Sequence, residues 1–237
     1  VSLSTAKSVM QALNFNEYEV YPVFITLKGE WIAGERMEQP ANSEEALQLQ
    51  GQGVADNITS FIAMHEKVGF DVVVPLLHGT NGEDGTVQGL LEVLNLPYVG
   101  NGVLASSAGM DKVVMKQLFE IADLQQTPYT YFLRSEWEQD AEAMLTKCET
   151  SLQYPMFGKP ANLGSSVGIS KATTREELKA SVLEALKFDR KIVVEQGVVG
   201  REIETAVLGN NEPKTSVVGE IKQSTEFYDY DSKYKNG

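Results

Sequence analysis

Apolar positions recur with helical spacing over residues 5–13, a segment that Ser2 or Ser4 can cap. Alternation over residues 17–27 predicts a strand, which Lys28-Gly29-Glu30 turns back into Trp31-Ile32. Residues 35–43 are polar, with Pro40 and Asn42, and read as a surface loop. Helical periodicity returns over residues 46–67, broken near residues 51–53. Phe70-Asp71-Val72-Val73-Val74-Pro75 is a nearly continuous apolar run, as expected of a strand buried on both faces of a parallel sheet. A polar loop from His78 to Gly85 follows, then a helix through Asn95 with Leu90, Leu91 and Leu94 on its buried side. Residues 96–100 are a second short strand and turn. Strand, helix, strand in this order predicts a doubly wound α/β unit.

The second half begins after a small-residue stretch, residues 102–109, which reads as a linker. Asp111 starts a helix carrying Lys112 and Lys116 four residues apart. Residues 129–133 predict a strand, residues 137–150 an acidic amphipathic helix, and residues 156–159 a strand leading into a glycine-serine loop. Thr174 is an N-cap for a helix to residue 188, with Glu177 placed to complete a capping box. Residues 191–196, 202–208 and 216–221 are β-rich. Near the end, Phe227, Tyr228, Asp229, Tyr230, Asp231, Lys233 and Tyr234 crowd a segment with no regular period. Such a mixture suits a loop closing over a polar ligand, or else a solvated surface turn.

Charge and composition narrow the classes. Over 237 residues, 33 acids against 20 Lys and Arg leave a formal charge of −13. That argues against nonspecific nucleic-acid binding and against docking on anionic membranes. No apolar run reaches the ~18 residues a spanning helix needs. Cys148 is the only cysteine, so no intrachain disulfide can form, and a reducing, cytoplasmic setting is expected. The chain opens on Val1 without an initiator Met and closes on Gly237 just past the aromatic segment. Both ends read as cut, and the expectation is a fragment, lacking the first strand of its opening unit.

Three constellations could carry chemistry. In Gly164-Ser165-Ser166-Val167-Gly168, glycines free the backbone N–H groups to face an anion and serines add donors. The loop lacks the Gly-Lys-Ser/Thr ending of a P-loop, and alone it also fits a Gly/Ser-rich hairpin. Lys159, five residues ahead of Gly164 at the end of an apolar strand, can aim an ammonium at the same anion. Next, Val193-Val194-Glu195-Gln196-Gly197-Val198, followed by Arg201-Glu202, is a strand ending in a carboxylate. Its freed backbone groups can read an adenine edge and its carboxylates a ribose or exocyclic amine, while the plain alternative is a solvated strand end. Third, His78 leaves the carboxyl end of a buried strand just before a helix N-terminus, where open α/β sheets place ligands. His65 is mid-helix and carries no assigned role, and Glu83-Asp84 and Glu176-Glu177 read as helix-start and surface acids rather than metal ligands.

Together these segments resemble one family. Residues 77–89 (Leu77-His78-Gly79-Thr80-Asn81-Gly82-Glu83-Asp84-Gly85-Thr86-Val87-Gln88-Gly89), Pro97-Tyr98-Val99-Gly100, Met110-Asp111-Lys112, residues 159–168 and residues 227–234 look like the D-alanine–D-alanine ligases, ATP-grasp enzymes of bacterial cell-wall precursor synthesis. The resemblance implies an α/β chain: a Rossmann-like domain over residues 1–105, a central ATP-grasp lobe over 106–198, and the start of a carboxy-terminal lobe with a mobile loop over 199–237. It implies that Lys112 and Lys159 contact the phosphates of ATP, and that Ser166 belongs to the phosphate-side loop. Glu195, Gln196 and Val198 match the adenine-binding linker, and Glu202 the ribose carboxylate. Ser165 and His78 match residues near the first D-alanine, and Lys233 and Tyr234 the closing end of the mobile loop. The implied reaction joins two D-alanines through an acyl phosphate, with ATP and Mg²⁺, in a cytoplasmic homodimer. The glutamate that grips the first substrate would precede Val1, and the Mg²⁺ ligands would lie beyond residue 237. The fragment alone is therefore expected to be inactive. Two rivals are a D-alanine–D-lactate ligase, against which Tyr234 argues, and a non-catalytic nucleotide-binding module.

Overall fold

The computed structural model describes residues 1–51, 57–164 and 166–221, and the chain forms two compact units, Val1–Ser106 and Ser107–Gly237. In the first unit α1 (Ser2–Ala12) starts one residue earlier than a serine cap would set it. Val1 is the N-cap, without a side-chain bond, because Thr5 N–H already closes the first turn on the Val1 carbonyl at 2.9 Å. The predicted strand over 17–27 shrinks to β1 (Val23–Ile25), paired antiparallel with β2 (Trp31–Ala33) through Phe24 opposite Ile32. Pro22 has no N–H to extend the ladder. Gly29 takes the left-handed conformation (φ 81°) that the tight turn needs.

A 3-10 turn at Glu45–Leu47 stands in the region predicted as helix, and α2 (Ile58–Val68) begins only after Asn57, whose side chain accepts from Thr59 N–H at 2.8 Å. The expected break near 51–53 falls partly outside the described residues. His65 fastens the helix end, its Nδ1 accepting from Phe70 N–H at 3.2 Å. The apolar run 70–75 forms a single parallel rung, Val73 with Tyr98, rather than a full strand. Pro75 and Pro97 offer no donors to lengthen it, and Val72 (47% exposed) and Val74 (41%) are not buried as the run suggested. α3 (Thr86–Val93) buries Val87, Gln88 and Leu91; Val87 and Leu91 pack with Phe61 and Leu96 in the core of this unit, and Gln88 Nε2 donates to the Gly82 carbonyl at 2.9 Å. The stretch read as a linker is instead α4 (Val103–Met110), in which Leu104, Ala105 and Ala108 are good helix formers. The boundary between the units falls inside it.

The second unit is built on a four-stranded antiparallel sheet in the order β3-β6-β4-β5. Its elements are α5 (Lys112–Ile121), β3 (Tyr129–Leu133), α6 (Arg134–Gln139), α7 (Ala141–Ser151), β4 (Met156–Pro160), β5 (Ser170–Ala172), α8 (Arg175–Ala185) and β6 (Lys191–Gln196). The helix predicted over 137–150 is two helices, because Asp140 leaves helical geometry (φ −156°) to cap α7 through Ala143 N–H at 2.9 Å. Thr174 caps α8 as expected through Glu177 N–H at 3.2 Å, while the Glu177 carboxylate reaches Thr173 N–H at 2.6 Å, one residue before the box position. Ile192, Val193 and Val194 of the inner strand β6 are fully buried. Ile192 and Val194 join Phe132, Leu145, Met156, Leu178 and Val182 in the main core, and Val193 packs on the other face with Val113 and Ala161. Gly158 lets β4 approach α8: a Cβ there would meet the Ser181 hydroxyl at 2.4 Å. Beyond β6 come two small antiparallel pairs, β7 (Glu202–Glu204) with β10 (Gly219–Ile221) and β8 (Val207–Leu208) with β9 (Lys214–Thr215). No helix among the described residues is long and apolar enough to cross a membrane.

Candidate functional site

Strand alternation decides which side chains meet. On β6, Ile192 and Val194 face the main core, so Val193 and Glu195 face the opposite side. On β4, Met156 and Gly158 face the core side, which leaves Phe157 and Lys159 with Glu195. The register sets Phe157 and Tyr129 opposite Glu195, and Lys159 opposite Val193. Helix α5 lies across this face, its start fixed by four contacts. Asp111 accepts from Val113 and Val114 N–H at 3.0 and 3.2 Å, Lys112 N–H donates to the Ala161 carbonyl at 3.0 Å, and Lys191 pairs with the second Asp111 oxygen. Lys112 and Lys116, one turn apart, thereby reach the same face of the sheet.

The result is a cationic cluster around one carboxylate. Glu195 pairs with Lys159 through Oε2 and with Lys116 through Oε1 at 3.3 Å. Lys116 and Glu195 side chains are only 7% and 12% exposed. The Lys116 ammonium also sits 5.0 Å from the centre of the Tyr129 ring, within cation–π range. Lys112 Nζ donates to the carbonyl of Leu163, the residue before the glycine-serine loop. Burial pushes the Lys112 ammonium down to about 8, with the Lys159 charge adding to the fall and Glu195, Asp189 and Asp111 opposing it. For Glu195, burial works to raise the carboxyl, but the charges and hydrogen bonds of Lys159 and Lys116 outweigh it and hold it below the ordinary range. Three ammonium groups against one carboxylate make a positive pocket in an acidic chain, suited to a polyanion such as a phosphate chain.

Lys112, Lys159 and Glu195 of the sequence-derived set are therefore brought together. Gln196 ends β6 on the core side, its Oε1 accepting from Gln153 N–H at 2.9 Å. Val198 is exposed in the segment after β6. Glu202 is exposed on β7, opposite Ile221. Ser166 lies in the glycine-serine loop in the left-handed conformation (φ 58°), with the Gly164 carbonyl accepting from Val167 N–H at 3.3 Å and its own carbonyl from Ile169 N–H at 3.4 Å. Ser165, Lys233 and Tyr234, with the rest of the aromatic segment, lie outside the described residues. His78 belongs to the first unit. Its Nε2 is 2.9 Å from the Thr5 hydroxyl and its Nδ1 3.6 Å from Glu83, while Glu83 also accepts from Gly79 N–H at 2.5 Å. Lys116 and Lys191 were not singled out from sequence. The signal for Lys116 was its i, i+4 spacing from Lys112 behind an Asp cap, whereas nothing local marks Lys191.

Among the described residues no three His, Cys, Asp or Glu side chains gather to hold a metal. Both carboxylates at the cluster, Glu195 and Asp111, are taken up by lysines. These residues do not fit Mg²⁺.

Comparison with known proteins places the chain in a family. Residues 1–101 match the family model described as D-ala D-ala ligase N-terminus, and residues 118–237 the one described as D-ala D-ala ligase C-terminus. D-alanine–D-alanine ligases of Bacillus cytotoxicus and Bacillus velezensis are each 54% identical over the whole chain, which covers 67% and 69% of their lengths. The chain thus spans about two thirds of the curated relatives it matches. Among solved structures, the D-alanine-D-alanine ligase from Coxiella burnetii superposes with a TM-score of 0.72 at 30% identity, over 93% of this chain and 66% of that one. The VanG D-Ala:D-Ser ligase from Enterococcus faecalis gives 0.74 at 29%, over 97% and 68%. The α/β, ATP-grasp fold class expected from the sequence is the one found. The chain belongs to the D-alanine–D-alanine ligase family.

Proposed function

We propose that the protein carrying this chain joins two D-alanines to D-alanyl-D-alanine at the expense of ATP, releasing ADP and phosphate, for peptidoglycan precursor synthesis. The observation that carries the reading is the Lys112, Lys116, Lys159 and Glu195 cluster, found in a chain whose relatives are D-alanine–D-alanine ligases. In this reading Lys112 and Lys159 hold the phosphates of ATP. The first D-alanine carboxylate attacks the γ-phosphorus, the bond to the β–γ bridging oxygen breaks, and ADP leaves with that electron pair. The product is an acyl phosphate. The amine of the second D-alanine then attacks the acyl carbon, phosphate departs, and the amine gives up a proton. Phosphoryl transfer asks little covalent help of the protein and much charge compensation, which buried ammonium groups supply. Glu195 limits that charge and fixes where Lys159 points. Ser165, Ser166, His78, Lys233 and Tyr234 are proposed to place and enclose the D-alanines, and Gln196, Val198 and Glu202 to hold the adenosine.

The dipeptide is favoured over a depsipeptide because relatives with 50–54% identity are D-alanine–D-alanine ligases. The test is stoichiometric. The protein is incubated with ATP, Mg²⁺ and D-alanine, and D-alanyl-D-alanine is counted by mass spectrometry against released phosphate. Equal amounts are expected, with little product when D-lactate competes as acceptor. Phosphate release indifferent to D-alanine, or a preferred D-lactate product, contradicts the proposal.

A further inference from the structure

The family resemblance assigns no role to Lys116, yet it is the most buried of the three lysines in the cluster. Its residue is 6% exposed, its Nζ lies 3.3 Å from Glu195 Oε1, and the Tyr129 ring covers it at 5.0 Å. A buried lysine in such a place needs a carboxylate partner, and the partner it has is the one that also holds Lys159. The two Glu195 oxygens are divided, Oε1 to Lys116 and Oε2 to Lys159, so the carboxylate plane is fixed from both ends. We propose that Lys116 is a positioning residue for nucleotide binding: it neutralises and orients Glu195, and so leaves the Lys159 and Lys112 ammonium groups as the net positive charge offered to phosphate. The idea rests on the nucleotide reading above.

The charge balance shows why this matters. With every group ionised, the cluster carries two net positive charges. Without Lys116 it carries one, and Glu195 has only Lys159 to compensate it from contact distance. Lys159, already paired with Oε2, would then be held there more tightly and be less able to meet an incoming anion. Lys116 and Lys112 from α5, Lys159 from β4 and Tyr129 from β3 face Glu195, while the nearby Asp111 carboxylate is already taken up by Lys191. The Tyr129 ring, itself hydrogen-bonded to Glu120, lies against the Lys116 ammonium.

The experiment has two readouts on the full chain. Glutamate is ¹³C-labelled at the carboxyl, the Glu195 signal is identified by its loss in Glu195→Gln, and it is titrated without nucleotide in wild type, Lys116→Met and Lys116→Arg. ATP affinity is measured on the same three proteins. The Glu195 titration is expected to move up in Lys116→Met and to return toward its wild-type position in Lys116→Arg. ATP binding is expected to weaken about tenfold in Lys116→Met and to recover to within about threefold in Lys116→Arg. A Glu195 titration that does not move in Lys116→Met, or a Lys116→Arg no better than Lys116→Met, overturns the proposal. Should wild type bind no ATP, the nucleotide reading is what fails, and the carboxyl titration still decides whether Lys116 governs Glu195. Should Lys116→Met not fold, Glu195→Gln is compared with Lys116→Met/Glu195→Gln, where the buried charge and its partner leave together. Equal ATP affinity in those two supports action through Glu195, and a weaker double variant overturns it.

Discussion

If Lys112 receives phosphate as proposed, nucleotide binding is a proton-linked event with a calculable size. Its ammonium is pushed down to about 8 by burial, aided by Lys159 and opposed by Glu195, Asp189 and Asp111. A phosphate in contact favours the charged form, so the bound state keeps the proton that the free protein loses on alkalinisation. If only the ammonium form binds, the protonated fraction is about 0.9 at pH 7, 0.5 at pH 8 and 0.1 at pH 9, and the Kd for ATP weakens about tenfold from pH 7 to 9, or ~1.4 kcal/mol. About half a proton is taken up per nucleotide at pH 8. Calorimetry in two buffers of different ionisation enthalpy reads that uptake directly, and Lys112→Met should bind more weakly at pH 7 with this pH dependence gone. The sign for folding runs the other way. Between about 8 and the ordinary lysine value near 10.4 the unfolded chain binds the extra proton, so wild type gains stability relative to Lys112→Met as pH rises through that window. No proton uptake at pH 8, together with a flat Kd from pH 7 to 9, would refute the reasoning.

Glu195→Ala leaves Lys116 buried beside an empty place, and removal of one partner of such a pair should cost about 3 kcal/mol in urea unfolding, much of it regained in Lys116→Met/Glu195→Leu; a loss below about 1 kcal/mol contradicts the packing described. Asp111→Ala removes two capping bonds and the Lys191 pair, for about 2 kcal/mol near neutral pH. Burial works to raise the Asp111 carboxyl, but the Lys191 contact and the two N–H bonds win and hold it low, so this contribution is present above the ordinary aspartate range and fades as pH falls through the folded value. A penalty that stays constant down to pH 2 would contradict it. Cys148 is fully buried and its thiol is pushed up to about 12, mainly by burial. At pH 8 its thiolate fraction is about a thousandfold below that of a free cysteine, so disulfide reagents should label the native chain about a thousandfold more slowly than the urea-unfolded one. Equal rates would show that the core around α7 opens freely.

Local chemistry made the second unit legible. The strands at residues 129–133 and 191–196 and the Asp111 and Thr174 caps were each specified within a few residues, and each formed where expected. Long-range effects hid the rest. Val72 and Val74 look buried on composition alone, but strand formation at residues 70–75 depends on partners that Pro75 and Pro97 help to limit. The small residues and flanking glycines of 102–109 suggested a linker, and the helix propensity of Leu104, Ala105 and Ala108 was passed over. At the site, Lys159 was visible as a lysine ending an apolar strand. Glu195 was visible only as a strand-end carboxylate, and the sequence reading turned it toward adenosine. Its contact with Lys159 spans 36 positions and depends on the register of β4 against β6, which no local pattern encodes. Lys191, which pins α5 to the sheet from 80 positions away, was invisible for the same reason.

The central claim is that the lysine cluster of the second unit receives the phosphates of ATP. Its most direct measurement is the affinity of the chain for ATP and for AMP, in wild type and in Lys159→Met. The account predicts that ATP binding weakens at least about tenfold in the variant while AMP binding barely changes, because the proposed role of the lost ammonium is to meet phosphates that AMP lacks. Unchanged ATP affinity in a folded Lys159→Met, or an equal loss for AMP, would contradict it.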